Sequence, residues 1–432
     1  MLKRKIEQNL IDWKNNKNKE CLLVKGARQV GKTFIIREFG KSNYTHFLEI
    51  NFEQKPEFKE VFNGSLDTDE IIKQLSLLIP SARFVPNETL LFLDEIQACP
   101  KARTSLKFFA EDNRFDVIAS GSLLGINYKD VSSYPVGYER QIQLHSLDFE
   151  EFLWATGVTD KSIADIKEYF LSLEYIPHVI NDKMLSLVRE YITIGGMPSV
   201  VNKYLETKNF SEVHAEQEKI TTSYLDDIAK YAPTSDKPKA RNCYLSIPNQ
   251  LLKENKKFKY SAVEKGGTSR KYTNSLDWLR DANLATFCFN VSTPTFPLGA
   301  YKKDNEFKIY LNDIGLLVSM YGFEMKAAII KNTLTGSAKG GIYENLIADM
   351  LIKKNIPLVY YKSENSTLEI EFLINSEINI IPVEVKAGNS ATASLNSYLQ
   401  KFKPEYAYKF ITGNAGENEN KRTLPLYMAM FL

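Results

Sequence analysis

From residue 21 to about residue 146 short apolar runs alternate with amphipathic stretches. CLLVKG (21–26), THFLEINF (45–52), TLLFLDE (89–95), FDVIASG (115–121) and RQIQLHSL (140–147) have the length and apolar density of buried strands. The spacing predicts a helix from Thr33 and another over 71–79 between them. Strands separated by helices predict a parallel sheet with helices on both faces. Ahead of the first strand, Ile6, Leu10 and Trp13 fall on one face of a short helix that packs on this domain.

The period changes after Asp148. DFEEFLWATG, LVREYITIGGMPSVVNKYLE and SEVHAEQEKITTSYLDDIAKY read as helices up to Tyr231, and APTSDKPKAR (232–241) reads as a linker with two prolines. A third segment follows to about Asn305, with helices expected over 241–254, at SAVEK (261–265) and over SRKYTNSLDWLRDANL (269–284). The last segment begins at FKIYLNDIGLL. It carries the helix GGIYENLIADMLIKKN, the strands IPLVYYK, LEIEFLI and INIIPVEVKAG, the helix SLNSYLQKF, and the strands YAYKFIT and LPLYMAMF. The expected division is 1–147, 148–232, 233–304 and 305–432.

Composition narrows the picture without redirecting it. A chain of 432 residues exceeds one core. A net charge of +2 gives no global attraction to nucleic acid or membrane. Cys21, Cys99, Cys243 and Cys288 form no CxxC pair, and the four histidines lack i, i+4 spacing. Neither a disulfide framework nor a histidine metal site is expected. No apolar stretch has the length of a signal core or a membrane span, so a cytoplasmic protein without a membrane partner is expected.

Gly26-Ala27-Arg28-Gln29-Val30-Gly31-Lys32-Thr33 matches GxxxxGK[ST] at every fixed position, after an apolar strand and before an amphipathic helix. Glycines at that spacing let successive N–H groups face a β-phosphate, and the helix adds its positive end. Lys32 is then placed to reach the β- and γ-phosphates of ATP, and the Thr33 hydroxyl to ligate Mg²⁺. LLFLDEIQ (90–97) supplies two carboxylates at the end of an apolar strand: Asp94 for the metal and Glu95 to orient the attacking water. DVIASGS ends another strand in hydroxyls, with Ser120 the candidate for contacting the γ-phosphate and Ser122 beside it. Strand-end capping accounts for the same letters equally well.

GARQVGKT, LFLDEIQ, IASGS and IQLHSLDFEEFL together resemble the AAA-type ATPase module of a bacterial and archaeal family in which a C-terminal domain of unknown function follows. The resemblance continues through YITIGGMPSVV, IYLNDIGLL, YENLIADML and IPVEVKAG, covering most of the chain. It implies Mg-ATP bound at the positions named and a helical lid after the ATPase core. It also marks Arg140 as a candidate for sensing the γ-phosphate or completing a neighbour's site in a homo-oligomer. A surface arginine beside Glu139 remains the other reading.

Residues 236–275 hold ten basic residues against three acidic ones, a net of +7 where the whole chain has +2. Leu276, Leu279 and Leu284 face inward in the third helix of this segment, leaving Arg270, Lys271, Thr273 and Asn274 near its exposed start. That is a winged-helix-like arrangement suited to duplex DNA, with ATFCFNVSTP as the wing. The same shape also serves as a packing module or binds a protein partner.

In the last segment Leu368, Ile370 and Phe372 share one strand face and Glu369 and Glu371 the other, while Glu384 and Lys386 share a face of PVEVK. In register, these carboxylates and the lysine converge into a metal-binding, water-activating cluster. The order resembles the restriction-endonuclease-like fold, which implies Glu371 as the first strand acid, Glu384 and Lys386 as the Glu-x-Lys pair and Glu344 as an accessory acid. Glutamate stands at 371 where that family has aspartate. A fold that has lost cleavage is the alternative. The expected whole is thus an α/β chain in four parts: a P-loop AAA-type ATPase domain, a helical lid, a winged-helix-like segment and a C-terminal α/β restriction-endonuclease-like domain. Its expected function is a Mg²⁺-dependent ATP hydrolase working as a nucleotide-driven switch. The alternatives are an ATP-gated DNA-processing nuclease and a non-hydrolysing ATP- and DNA-binding regulator.

Overall fold

The computed structural model describes residues 2–16, 19–122, 137–365, 368–388 and 392–432. They form two compact units, one of residues 3–145 with 281–283 and one of residues 146–280 with 284–432.

The first unit contains α1 (Ile6–Asn15), β1 (Cys21–Lys25), α2 (Lys32–Asn43), β2 (His46–Asn51), α3 (Thr68–Leu78), β3 (Thr89–Asp94), α4 (Pro100–Asp112), β4 (Asp116–Gly121) and β5 (Glu139–Gln143). The strands lie in the order β2-β3-β4-β1-β5, and every pairing is parallel. All six residues of β3 are buried, as its unbroken apolar run requires of a central strand covered on both faces. At about 2 kcal/mol for each buried aliphatic side chain, this strand anchors the sheet. Ile6, Leu10 and Trp13 of α1 are buried on one face, as their spacing predicts.

The second unit begins with helices: α5 (Phe149–Ala155), α6 (Asp160–Ser172), α7 (His178–Ile194), α8 (Pro198–Thr207) and α9 (Phe210–Tyr231). Asp148 starts them with a complete capping box to Glu151. Then come α10 (Lys237–Leu251), α11 (Tyr260–Val263), α12 (Ser269–Asp281), β6 (Ala285–Val291), β7 (Lys302–Leu311), α13 (Ile314–Ser319), α14 (Phe323–Ile330) and α15 (Gly336–Lys353). The chain ends with β8 (Val359–Lys362), β9 (Glu369–Ile370), β10 (Phe372–Ser376), β11 (Asn379–Val385), α16 (Ala393–Phe402), β12 (Ala407–Ile411), β13 (Gly416–Asn418), β14 (Lys421–Pro425) and a 3₁₀ helix over Leu426–Phe431.

Four features differ from the sequence-based expectation. ATFCFNV is not a wing: β6 pairs antiparallel with β7 and parallel with β8, in a four-stranded sheet ordered β7-β6-β8-β9. Both hydrogen-bonding edges of β6 are filled by strands, which a free hairpin wing does not allow. The same sheet spans the expected boundary at 304/305, which falls inside β7. LPLYMAMF, expected as a strand, leaves β14 at Pro425 and coils into the 3₁₀ helix. Leu426 to Met430 are buried in succession, and such a run carries no period that separates strand from helix. LEIEFLI is not one strand. It breaks at Glu371, with β9 in the four-stranded sheet and β10 in the five-stranded sheet β10-β11-β12-β14-β13.

The motifs YITIGGMP and IYLNDIG meet in a buried hub. Asp313 caps α13 by accepting from the Leu316 N–H at 3.1 Å, and also accepts from the Ser146 hydroxyl and the Gly196 N–H, each at 2.8 Å. Lys353 donates to the Leu147 carbonyl at 3.0 Å and pairs with Asp349 at 2.9 Å. Gly195 sits at φ +77°, and a Cβ there would lie 2.2 Å from Asp313 Oδ1 and 2.9 Å from the Gly315 backbone. These motifs serve packing.

Candidate functional site

Strand order explains the first cluster. β4 lies between β1, which leads into the phosphate-loop sequence, and β3, which ends in Asp94. A side chain at the end of β4 is therefore flanked by Lys32 on one side and Asp94 on the other. Ser120 donates to Asp94 Oδ1, and Lys32 Nζ donates to the Ser122 hydroxyl at 3.0 Å. Thr33, in the first turn of α2, donates from Oγ1 to Asp94 Oδ2 at 3.0 Å. Gly31 precedes that helix at φ +97°, a left-handed conformation that a side chain would strain.

Lys32 also donates to the carbonyls of Gly26 and Ala27 at 3.0 and 2.8 Å. Burial lowers its pKa to about 8, although Glu95 and Asp94 pull the other way. Glu95 is half-buried in a left-handed conformation (φ +53°) directly after β3. Burial raises its pKa, and the hydrogen bond from Gln97 Nε2 at 2.6 Å opposes that rise.

One contributor escaped the sequence reading. Asn51 ends β2 opposite Asp94 and donates from Nδ2 to Asp94 Oδ2 at 2.9 Å. A polar residue closing the run HFLEIN was the available signal. Arg140 does not join this cluster. It is exposed on β5 opposite Leu22, three residues before the carboxyl end that pairs with Lys25, about 10 Å back along the strand.

In the second unit Arg270, Lys271, Thr273 and Asn274 are all exposed on α12, while Leu276 and Leu279 are buried, as expected. Lys271 pairs with Glu264 at 2.5 Å and Thr273 donates to the Ser269 carbonyl at 2.8 Å. The basic segment is not a uniformly solvated face, however. Lys256 pairs with buried Glu344 at 2.7 Å, and Lys257 pairs with Glu306 at 3.2 Å. Part of the +7 thus neutralises the protein's own carboxylates.

The β10–β11 pairing brings Glu371, Glu384 and Lys386 together. Lys386 Nζ lies 3.2 Å from Glu371 and 3.1 Å from Glu384. Burial raises the Glu371 pKa to about 7, with Lys386 opposing and Glu344 and Glu384 adding to the rise. Burial also raises the pKa of Glu384, with Lys386 opposing; Oε1 lies 3.1 Å from Lys386 Nζ, while Oε2 has no hydrogen-bond partner among the described residues. Glu369 does not converge with them, because the break at Glu371 sends it to Lys308 at 2.9 Å and Lys362 at 2.6 Å.

Glu344 is already saturated. It accepts from Lys308 at 2.9 Å, from Lys256 at 2.7 Å and from the Tyr310 hydroxyl. Burial pushes its pKa up, but the two lysines outweigh burial and hold it well below the usual carboxylate range. Among the described residues no group of three or more His, Cys, Asp or Glu side chains is arranged to hold a metal ion.

Comparison with known proteins gives three family matches. Residues 18–153 match the AAA domain, residues 185–327 a domain of unknown function (DUF8612), and residues 339–428 a second domain of unknown function (DUF4143). No curated protein matches the chain. Among solved structures, the Walker-type ATPase PABY2304 of Pyrococcus abyssi is 14% identical, with 74% of this chain and 96% of that one covered at a TM-score of 0.45. The Aeropyrum pernix ORC1 protein in complex with DNA is 12% identical (76% and 92% covered, TM-score 0.30). AMPPCP-bound DnaA from Aquifex aeolicus is 14% identical (63% and 83% covered, TM-score 0.29). No helix among the described residues is long and apolar enough to cross a membrane. With its all-parallel sheet, its phosphate-loop sequence and its family match, the N-terminal part of the chain is an AAA-type P-loop ATPase domain.

Proposed function

We propose that the chain is a Mg²⁺-dependent ATP hydrolase that works as a nucleotide-driven switch on its own C-terminal region, with duplex DNA as the partner of that region. The observation that carries this reading is the joining of Lys32, Thr33, Asp94, Ser120 and Ser122 by direct hydrogen bonds at the ends of three strands. The backbone N–H groups of residues 26–33 and the start of α2 receive the phosphates. Lys32 gives up its contacts with the Gly26 and Ala27 carbonyls to pair with them.

The donor set fits a magnesium ion, since a hydroxyl and a carboxylate 3.0 Å apart (Thr33 and Asp94) are hard oxygen ligands. When bound, the ion neutralises charge on the phosphate oxygens. Glu95 orients the attacking water, and burial raises its pKa, which strengthens it as a proton acceptor. Ser120, tied to Asp94, registers the γ-phosphate.

The test is steady-state ATP hydrolysis with and without duplex DNA, beside Glu95→Gln. Hydrolysis should fall by about 10²-fold in the variant while ATP binding is kept. Stimulation by DNA that vanishes in the variant supports the coupling. Hydrolysis unchanged in the variant removes Glu95 from the chemistry.

A second reading has its own observation: Glu371, Glu384 and Lys386 are adjacent, and the buried Glu384 Oε2 lacks a hydrogen-bond partner among the described residues. Two buried carboxylates beside a lysine suit a divalent cation and a water, as in metal-dependent cleavage of DNA. Under this reading Glu344, saturated by Lys308 and Lys256, is a structural charge. Metal-dependent cutting that Glu384→Ala abolishes supports it, and nucleotide-dependent DNA retention without cutting supports a regulator.

A further inference from the structure

A cavity of about 310 Å³ opens in the second unit, beside the four-stranded sheet, and includes Lys257, Lys303, Lys362, Tyr360, Asn255 and Glu306 in its wall. None of these residues belongs to the ATP site or to the Glu371–Glu384–Lys386 cluster. Tyr360, on β8, is 1% exposed, yet its hydroxyl makes no hydrogen bond among the described residues. Its ring is held under Lys308, whose Nζ lies 4.8 Å from the centroid. Its hydroxyl is therefore available to donate to an acceptor in the cavity.

The rest of the wall has the same bias. Both Glu306 oxygens are engaged, one by Lys257 at 3.2 Å and the other by Asn290 Nδ2 at 2.7 Å. Lys362 is held by Glu369 at 2.6 Å. Lys303, half-buried, has no ion-pair partner within 4.0 Å among the described residues. Asn255 uses its carbonyl oxygen to accept from the Lys257 N–H at 3.1 Å, which leaves its NH₂ group to donate. Glu364, the other carboxylate of the wall, is exposed to solvent. Unused donors therefore face the cavity, while its sheltered acceptor is spent.

We propose that this cavity binds a phosphate monoester, through Lys303, the Tyr360 hydroxyl and the Asn255 amide, with Lys257 and Lys362 balancing Glu306 and Glu369 beside it. An ammonium, a hydroxyl and an amide all donate, as an acceptor-rich dianion requires. The volume sits at the small end of ligand sites, which run from about 300 Å³, so it takes a phosphate together with what it esterifies. The monoester is either a small phosphorylated metabolite or the 5′ end of a nucleic acid strand.

The experiment uses the full chain carrying Lys32→Ala, so that the phosphate loop does not contribute. Calorimetric titrations with inorganic phosphate, a 5′-phosphorylated trinucleotide and the same trinucleotide without phosphate are run on this protein and after adding Lys303→Ala or Tyr360→Phe. The phosphorylated trinucleotide should bind, the unphosphorylated one should not, and each added substitution should weaken binding about tenfold or more. Inorganic phosphate binding as well as the phosphorylated trinucleotide, with the same sensitivity to Lys303 and Tyr360, supports the site and assigns it to a small phosphate ester. Binding that ignores both substitutions, or no binding of any probe, overturns it. Tyr360→Phe alone decides the matter if Lys303→Ala disturbs folding, because it removes one oxygen and keeps the ring.

Discussion

Lys32 is expected to weaken the free protein that it equips for ATP. An ordinary lysine titrates at 10.5 and this one at about 8, because burial penalises its charge. The drop from 10.5 to about 8 corresponds to about 3 kcal/mol. The sign follows from linkage. A lysine whose folded pKa lies below its unfolded value binds protons less well when folded, so the penalty is full below pH 8. It fades between pH 8 and 10.5 and is absent above. Comparison with Lys32→Met isolates the effect, since other titrating groups are common to both proteins. Relative to the variant, the parent should gain about 3 kcal/mol of stability between pH 7 and pH 10.5. The assay is urea unfolding of the N-terminal unit across that range, followed by fluorescence of buried Trp13 after Trp154→Phe and Trp278→Phe. A stability difference that stays flat with pH, or grows in the variant's favour as pH rises, refutes the reasoning.

Two further predictions concern the second unit. Gly195→Ala should cost roughly 3 kcal/mol, from overpacking against Asp313 and Gly315 together with backbone strain. Gly157→Ala, also at positive φ but facing open space, should cost only about 1 kcal/mol, and urea midpoints of the two variants separate packing from strain. Lys308→Met should cost about 3–5 kcal/mol, because it strips a shared buried cation from Glu344 and Glu369. Chemical denaturation reads that loss, and a cost below 1 kcal/mol would show that Lys256 and Lys362 suffice.

The ATPase core was legible because its chemistry is local in sequence. The loop 26–33 and the pair Asp94-Glu95 each sit at the end of one apolar run, so a linear reading finds them. Asn51 was missed because it matters only through its position opposite Asp94, and strand order is not written in either run. The break at Glu371 escaped for a related reason. Alternation from Leu368 to Phe372 is perfect, and nothing in it tells that neighbouring residues pair with different sheets. Lys256 looked like one more solvated lysine until folding set it against Glu344, more than eighty residues away. Period and motif report what a segment does alone, and they are silent on which distant segment neutralises it.

The four-stranded sheet has a consequence for synthesis on the ribosome. β6 needs β8 as its parallel neighbour, and β8 is made about 70 residues later, which at 5–20 residues per second is roughly 4–14 s. Throughout that interval β7 can cover only one edge of β6, and the other edge, over Phe289 to Val291, stays open to any passing strand. A ribosome stalled before residue 359 would hold out a half-built sheet. Until β8 is made, the second unit therefore carries an unpaired strand edge.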